Sequence, residues 1–317
     1  MKRHIAILVL LCGILFSGAT IVHGQAYPNK PIRIVTTAPG SGTDLIARLF
    51  AQGSTASLGQ PVVVDNRGII AVEIAARAPS DGYTLLVYTN PLWIMPLFRP
   101  NTPWDPVRDF IPVTLAGRQP SVLVVHPSVQ VSSVGDLIAF AKVRPGQLNY
   151  GSGSTGAPTH LAAELFKAMA RLNIVRVPFK GGGPAITALL SGEVQIMFAV
   201  PAAVMVHVRQ SKLKALAVTS ASPSALAPGL PTMAASGLPG YESIALSAVF
   251  VPTKTPAAIV DRLNREIVKV ITGPDGKQRL FNSGIEAIGS SPQELAAIIK
   301  SEVARMAKVI ADSGLQE

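Results

Sequence analysis

The sequence predicts an α/β fold built as two lobes with a cleft between them. Short apolar runs alternate with segments whose apolar residues recur at helical spacing, a βα pattern. The alternation falls into two blocks, and the last part of the chain supplies helices but few strands, so its helices are expected to cover the first block. The 317-residue length fits two domains of roughly 150 residues each. Hydrophobic residues make up 48% and charged residues 15%, which supports a large core and excludes disorder. No fixed-period repeat is present.

In the first block, Ile32–Thr36 reads as a buried strand. Asp44–Leu58, with Leu45, Ile46, Leu49 and Phe50 at helical spacing, reads as a helix. Strand Val62–Asn66, helix Ala71–Ala78, the Asp81–Gly82 turn and strand Thr84–Thr89 follow, then short strands near Ile111–Leu115 and Val122–Val125. The second block runs through helix Val134–Val143, strand Leu148–Tyr150, helix His160–Arg171, strand Val175–Val177 and helix Ala185–Leu190. Strand Gln195–Phe198, helix Ala202–Val208 and strand Ala215–Thr219 complete it. Residues 220–242 are rich in Pro, Gly, Ala and Ser and read as a surface excursion with a short helix near Thr232–Ser236. Strand Leu246–Val251, helix Pro256–Ile271, a short helix Lys277–Asn282 and a long amphipathic helix Pro292–Ser313 close the chain. The chain is expected to cross between lobes near Val122–Pro127 and near Val249–Pro252. The first lobe is then 27–122 plus 250–317 and the second 123–249.

The N-terminus carries an export signal. Met1–His4 is a basic start, Ile5–Phe16 an apolar run, and Gly24–Ala26 supplies small residues for cleavage near Ala26. The run is shorter than the roughly 20 residues a membrane span needs. Cys12, the one cysteine, lies within it, so the mature chain has no thiol, disulfide or thiolate metal site. Net charge is +10, or +8 without Lys2 and Arg3, which favours anionic partners. Aromatic residues are 5% and not interleaved with the basic ones, which excludes nucleic-acid binding.

Three times a strand is followed by a glycine-rich loop and a helix: Ala38–Thr43, Gly151–Thr159 and Lys180–Pro184. In a parallel sheet such loops sit at the carboxyl ends of strands, where ligands bind. Helix starts leave N–H groups unpaired with partial positive charge, and glycine admits close approach to the backbone. Ser41, Thr43, Ser152, Ser154, Thr155 and Thr159 add hydroxyls, so the loops suit a carboxylate or similar small oxyanion. Hydrogen bonds to a charged group contribute roughly 1.5–3 kcal/mol each. Three or four approach the ~8 kcal/mol of micromolar binding after ordering costs. Each loop taken alone also serves as a plain turn. His160 either packs its loop or touches the ligand; Asp44 either braces a helix start or holds a ligand ammonium; Lys180 meets an anion or solvent. Thr37, Ala38, Gly42, Asn90, at the end of its strand, Gly181 and Ala199 complete the candidate binding set.

Catalytic and cofactor motifs are lacking. Gly151–Gly156 matches G-x-G-x-x-G formally, but Pro158 delays the helix and residues 171–180 offer no carboxylate. G-x-S-x-G, H-E-x-x-H and a P-loop are absent, and His126, His160 and His207 have no partner at ligand spacing. No cofactor, metal or catalytic residue is expected.

The segments Tyr27–Arg33, Ala38–Asp44, Gly59–Arg67, Asp81–Leu86, Trp104–Phe110, Val177–Gly181 and Leu213–Ser220, in this order, resemble the Bug/TctC-type periplasmic solute-binding proteins of tripartite tricarboxylate transporters. The resemblance covers nearly the whole mature chain. It implies a type II-like Venus-flytrap fold that closes on a carboxylated solute in the periplasm and delivers it, as a monomer, to membrane permease subunits, without catalysis. It also implies that the loops here spanning Thr37–Asp44 and Ser152–His160 hold the ligand carboxylate. A ligand sensor for a membrane kinase and an exported hydrolase using Ser154, His160 and Asp44 are the alternatives. Three departures from the family stand out. Asn66–Arg67 runs into Gly68–Ala71 through a shorter loop, implying a larger pocket, an altered ligand class or weaker binding. Thr37 stands where Phe is common. Ala199 stands where many relatives have Asp, which weakens an amino-acid ligand reading.

Overall fold

Alternation along single strands decides how the layers form, and the computed structural model, which describes residues 27–99, 101–153 and 156–313, shows it directly. The export segment read over residues 1–26 lies outside the described residues. In β1 (Ile32–Thr36), Ile32 and Ile34 face a core shared with α1 (Gly42–Leu58), while Val35 faces one shared with α2 (Ile70–Ala76). β1 pairs in parallel with β2 (Val62–Asn66) and β3 (Thr84–Thr89). β4 (Phe110–Pro120), β10 (Ile244–Pro252) and β11 (Glu286–Ala287) extend the sheet antiparallel, in the order β11-β4-β10-β3-β1-β2. Helices α8 (Ala257–Thr272) and α9 (Pro274–Asn282) share the α1 face. Helices α3 (Pro91–Phe98) and α10 (Pro292–Ser313) share the α2 face.

The second sheet repeats the logic in the order β7-β6-β8-β5-β9, with β5 (Val122–Val125), β6 (Asn149–Ser152), β7 (Val175–Pro178), β8 (Ile196–Ala199) and β9 (Lys214–Val218). β6 runs parallel to both β7 and β8, whereas β5 is antiparallel to its neighbours. Leu123 and Val125 face α4 (Val134–Lys142) and α5 (Pro158–Ala170); Val122 and Val124 face α6 (Gly182–Ser191) and α7 (Pro201–Arg209). Both faces of both sheets are therefore covered, as parallel strands require.

Three expectations are corrected. β10 pairs with β4 from Ile244 to Pro252, so the second crossing lies before Ile244 and not near Val249–Pro252. The first crossing falls at Ser121, between β4 and β5, just ahead of the expected Val122–Pro127. Thr232–Ser236 forms hydrogen-bonded turns and no helix. Thr232 Oγ1 accepts from the Ala235 N–H, and Gly237 at φ 106° ends the coil. Helix α3 was not foreseen.

The two crossings meet at one residue. Ser121 N–H donates to Thr219 Oγ1 at 2.7 Å, Thr219 N–H to Ser121 O at 2.9 Å and Ser243 N–H to Thr219 O at 2.9 Å. Helix α10 buries Leu295 and Met306 against the first sheet and sets Val309 against the core of the second.

Candidate functional site

The sequence Ala38–Pro39–Gly40–Ser41 turns the chain from β1 into α1, with Gly40 at φ 78°. Ser41 caps the helix, its Oγ accepting from the Asp44 N–H at 3.2 Å. Thr37, Ser41 and Thr43 bring their hydroxyls into one triangle with sides of 2.7, 2.5 and 3.1 Å. The Gly42 and Thr43 N–H groups, at the first turn of α1, have no hydrogen-bond partner among the described residues. These are the donors an oxyanion takes up.

Asp44 braces this loop from behind. Its Oδ2 accepts the Gly40 N–H at 2.9 Å and Arg48 Nε at 3.0 Å; its Oδ1 accepts Asn66 Nδ2 at 2.9 Å. The same Asn66 nitrogen donates to Thr37 O at 2.9 Å, tying the end of β2 to the loop. Burial pushes the Asp44 carboxyl up, but the bonds from Arg48, Asn66 and Gly40 outweigh it and hold the group below its usual range. With both oxygens engaged, Asp44 acts as a support and is not set out to meet a ligand ammonium.

The second loop leaves β6 at Ser152. The buried Ser152 hydroxyl accepts Arg176 Nε at 2.9 Å, and Arg176 Nη2 donates to Gly153 O at 3.1 Å. Arg176, on β7, therefore holds the loop and places a positive charge beside it. His160 is buried on the first turn of α5, and its Nδ1 accepts the Gly156 N–H at 3.1 Å, so it shapes the loop. Thr159 stands one residue before it, half-buried. Ser154 and Thr155 lie outside the described residues. The third loop lies alongside: a Cβ on Gly153 would sit 3.6 Å from the Gly181 backbone. Around Gly181, Gly182 and Gly183 such a Cβ would meet nothing within 4 Å, so this helix start is open. Lys180, exposed, precedes it.

Asn90 and Ala199, at the carboxyl ends of β3 and β8, are buried, and their side chains are taken up within their own halves of the molecule. Asn90 Nδ2 donates to Ile244 O at 3.0 Å and to Glu302 Oε1 at 2.8 Å, and its Oδ1 accepts the Leu246 N–H at 3.4 Å. Trp93 Nε1 donates to the other Glu302 oxygen at 2.7 Å. Asn90 thus joins β3, β10 and α10 and is consumed in doing so. Burial pushes the Glu302 carboxyl up against the opposing hydrogen bonds from Asn90 and Trp93. Ala199 is 1% exposed within the core of the second sheet. Asn66 and Arg176 are the supporting residues sequence reading passed over. The polar run Asp65–Asn66–Arg67 at a strand's carboxyl end was a usable signal for the first; Arg176, on a four-residue strand, gave none.

Asp44 bonds to Gly40 and Asn66 and His160 to Gly156, each at its own loop. Among the described residues no group of three or more His, Cys, Asp or Glu is placed to hold a metal, and no helix is long and apolar enough to cross a membrane.

Comparison with known proteins gives concordant matches. The family model for the tripartite tricarboxylate transporter family receptor (TctC) matches residues 46–315. The chain is 39% identical over 294 residues to a UPF0065 protein in the tcbD-tcbE intergenic region of Pseudomonas sp. (strain P51), covering 91% of this chain and 88% of that one. It is 35% identical over 317 residues to protein BugT of Bordetella pertussis (strain Tohama I), covering 97% of each. Its fold matches the structure of R. palustris Rpa4515 with adipate at a TM-score of 0.81 and 35% identity, covering 92% of this chain and 99% of that one.

Proposed function

Because the chain belongs to the tripartite tricarboxylate transporter receptor family, also represented by BugT, we propose that it captures a small carboxylate in the periplasm and hands it to the membrane permease subunits of such a transporter. The protein works as a monomeric, non-catalytic receptor. The observation that carries this reading is the first loop: three hydroxyls in contact and two helix-start N–H groups without partners, braced by an engaged Asp44. That adipate accompanies a relative of the same fold supports a carboxylate as the ligand class. The second and third loops face the cleft as complementary donors, so ligand favours the closed arrangement by its higher affinity for it.

A thermal-shift screen of mono-, di- and aromatic carboxylates tests this. A ligand at 100 times its Kd adds about 2.7 kcal/mol and raises the midpoint by roughly 5–10 °C. Thr37→Val, which removes one hydroxyl with little change of shape, is expected to weaken that ligand about tenfold. Flat traces across the panel would overturn the proposal.

A further inference from the structure

A cavity of about 560 Å³ lies between the head of α2 and α3. Its lining is mixed: Ile69, Phe98 and the buried Met95 and Trp104, each of the last two 7% exposed, stand with four polar side chains, Glu73 and Arg99 among them. The volume lies within the roughly 300–1,000 Å³ of small-molecule sites, and apolar walls with a few polar groups are their usual lining.

Its position relates it to both carboxylate-facing loops. On one side, the Arg67 N–H donates to Thr36 O at 2.8 Å and Asn66 Nδ2 to Thr37 O at 2.9 Å, so the corner leading to Ile69 is stitched to the first loop. On the other, Met95 Sδ lies 3.1 Å from where a Cβ on Gly156 would sit, in the second loop. Ile69 is 62% exposed, a large apolar side chain at the head of α2.

We propose that this cavity takes the apolar tail of the bound acid, so that the preferred substrates are monocarboxylic acids with a hydrocarbon chain or ring and not short polyacids. The inference rests on the carboxylate-receptor reading above. A carboxylate held at the first loop directs its remaining carbons either into open solvent or along Ile69 toward Met95, Phe98 and Trp104. The second path removes apolar surface on both partners from water.

Titration calorimetry of the purified protein with straight-chain monocarboxylates from propanoate to octanoate tests it, with adipate as a polar-ended contrast. Affinity is expected to rise about fourfold per added methylene, the equivalent of about 0.8 kcal/mol each, until the cavity is filled. Ile69→Ser is expected to flatten that rise while leaving propanoate unchanged; serine is a favoured residue at a helix start. Val107→Ser, at a residue 81% exposed and outside the lining of the cavity, is the control and should keep the rise. A rise that survives Ile69→Ser, equal affinities along the series, or adipate binding where no monocarboxylate binds would each overturn the tail site while leaving the carboxylate reading in place. Failure of every carboxylate would overturn both.

Discussion

Replacing Asp44 with asparagine tests the brace behind the first loop. The substitution turns one of two accepting oxygens into a donor. An amide nitrogen at the Oδ1 position faces Asn66 Nδ2, which cannot turn away without giving up its 2.9 Å bond to Thr37 O. At the Oδ2 position it faces the Gly40 N–H and Arg48 Nε. Either way donor meets donor. Losing one buried bond to a charged acceptor costs about 1.5–3 kcal/mol. The Arg48 pair adds about 0.2–1 kcal/mol, discounted because that guanidinium is 48% exposed. The sum is about 2–4 kcal/mol, a fall in Tm of roughly 5–15 °C in a chain of this size.

The pH dependence has a definite sign. A carboxyl held below its ordinary value near 3.9 in the folded state contributes stability that is present above the unfolded value and lost as pH falls through the folded one. The gap between wild type and Asp44→Asn, followed by thermal unfolding, is therefore full at pH 7 and closes below about pH 4. A variant within about 0.5 kcal/mol of wild type at pH 7, or a gap constant down to pH 3, would refute the brace. Selective loss of amine-bearing ligands with stability intact would assign Asp44 to the ligand.

Two further outcomes follow from the supporting residues. Asn90→Ala leaves Ile244 O and Glu302 Oε1 short of a donor and should cost about 2–4 kcal/mol in urea unfolding, with ligand affinity held within about twofold. Lost affinity at unchanged stability would make Asn90 a ligand residue after all. Arg176→Met keeps the length of the side chain but leaves Ser152 Oγ and Gly153 O without their donor; calorimetry should show affinity falling about tenfold, with about 1–3 kcal/mol lost in unfolding. Unchanged affinity would show that the second loop needs no such anchor.

How far the sequence carried the structure varied with the range of the interactions. β1, the first glycine loop and α1 are contiguous, and the spacing of Leu45, Ile46, Leu49 and Phe50 is a local signal, so they were legible. Helix α3 was not. Pro96 disfavours a helix locally, and a segment apolar on all sides shows no helical period; it is a helix because Leu92, Trp93 and Ile94 are buried under α2 and α10. The role of Asn90 was hidden for a similar reason, since its partner Glu302 lies 212 positions away. His160 and Asp44 were read with two possible duties each, and the bonds to Gly156, Gly40 and Asn66 that favour a bracing duty depend on how the loops fold. The cavity walls come from Ile69, Met95, Phe98 and Trp104, and no local pattern announces that such separated residues converge.

The fastening of Ser121 and Ser243 to Thr219 limits how the halves of the molecule can swing. An axis through that threonine preserves all three bonds, whereas sliding one half past the other breaks them and drags Val309 out of its apolar seat. The inexpensive motion is therefore a bite, with the loops at the far rim travelling farthest. On the receptor reading proposed above, such a pin turns a small contact at the mouth into two shapes that a membrane partner can tell apart.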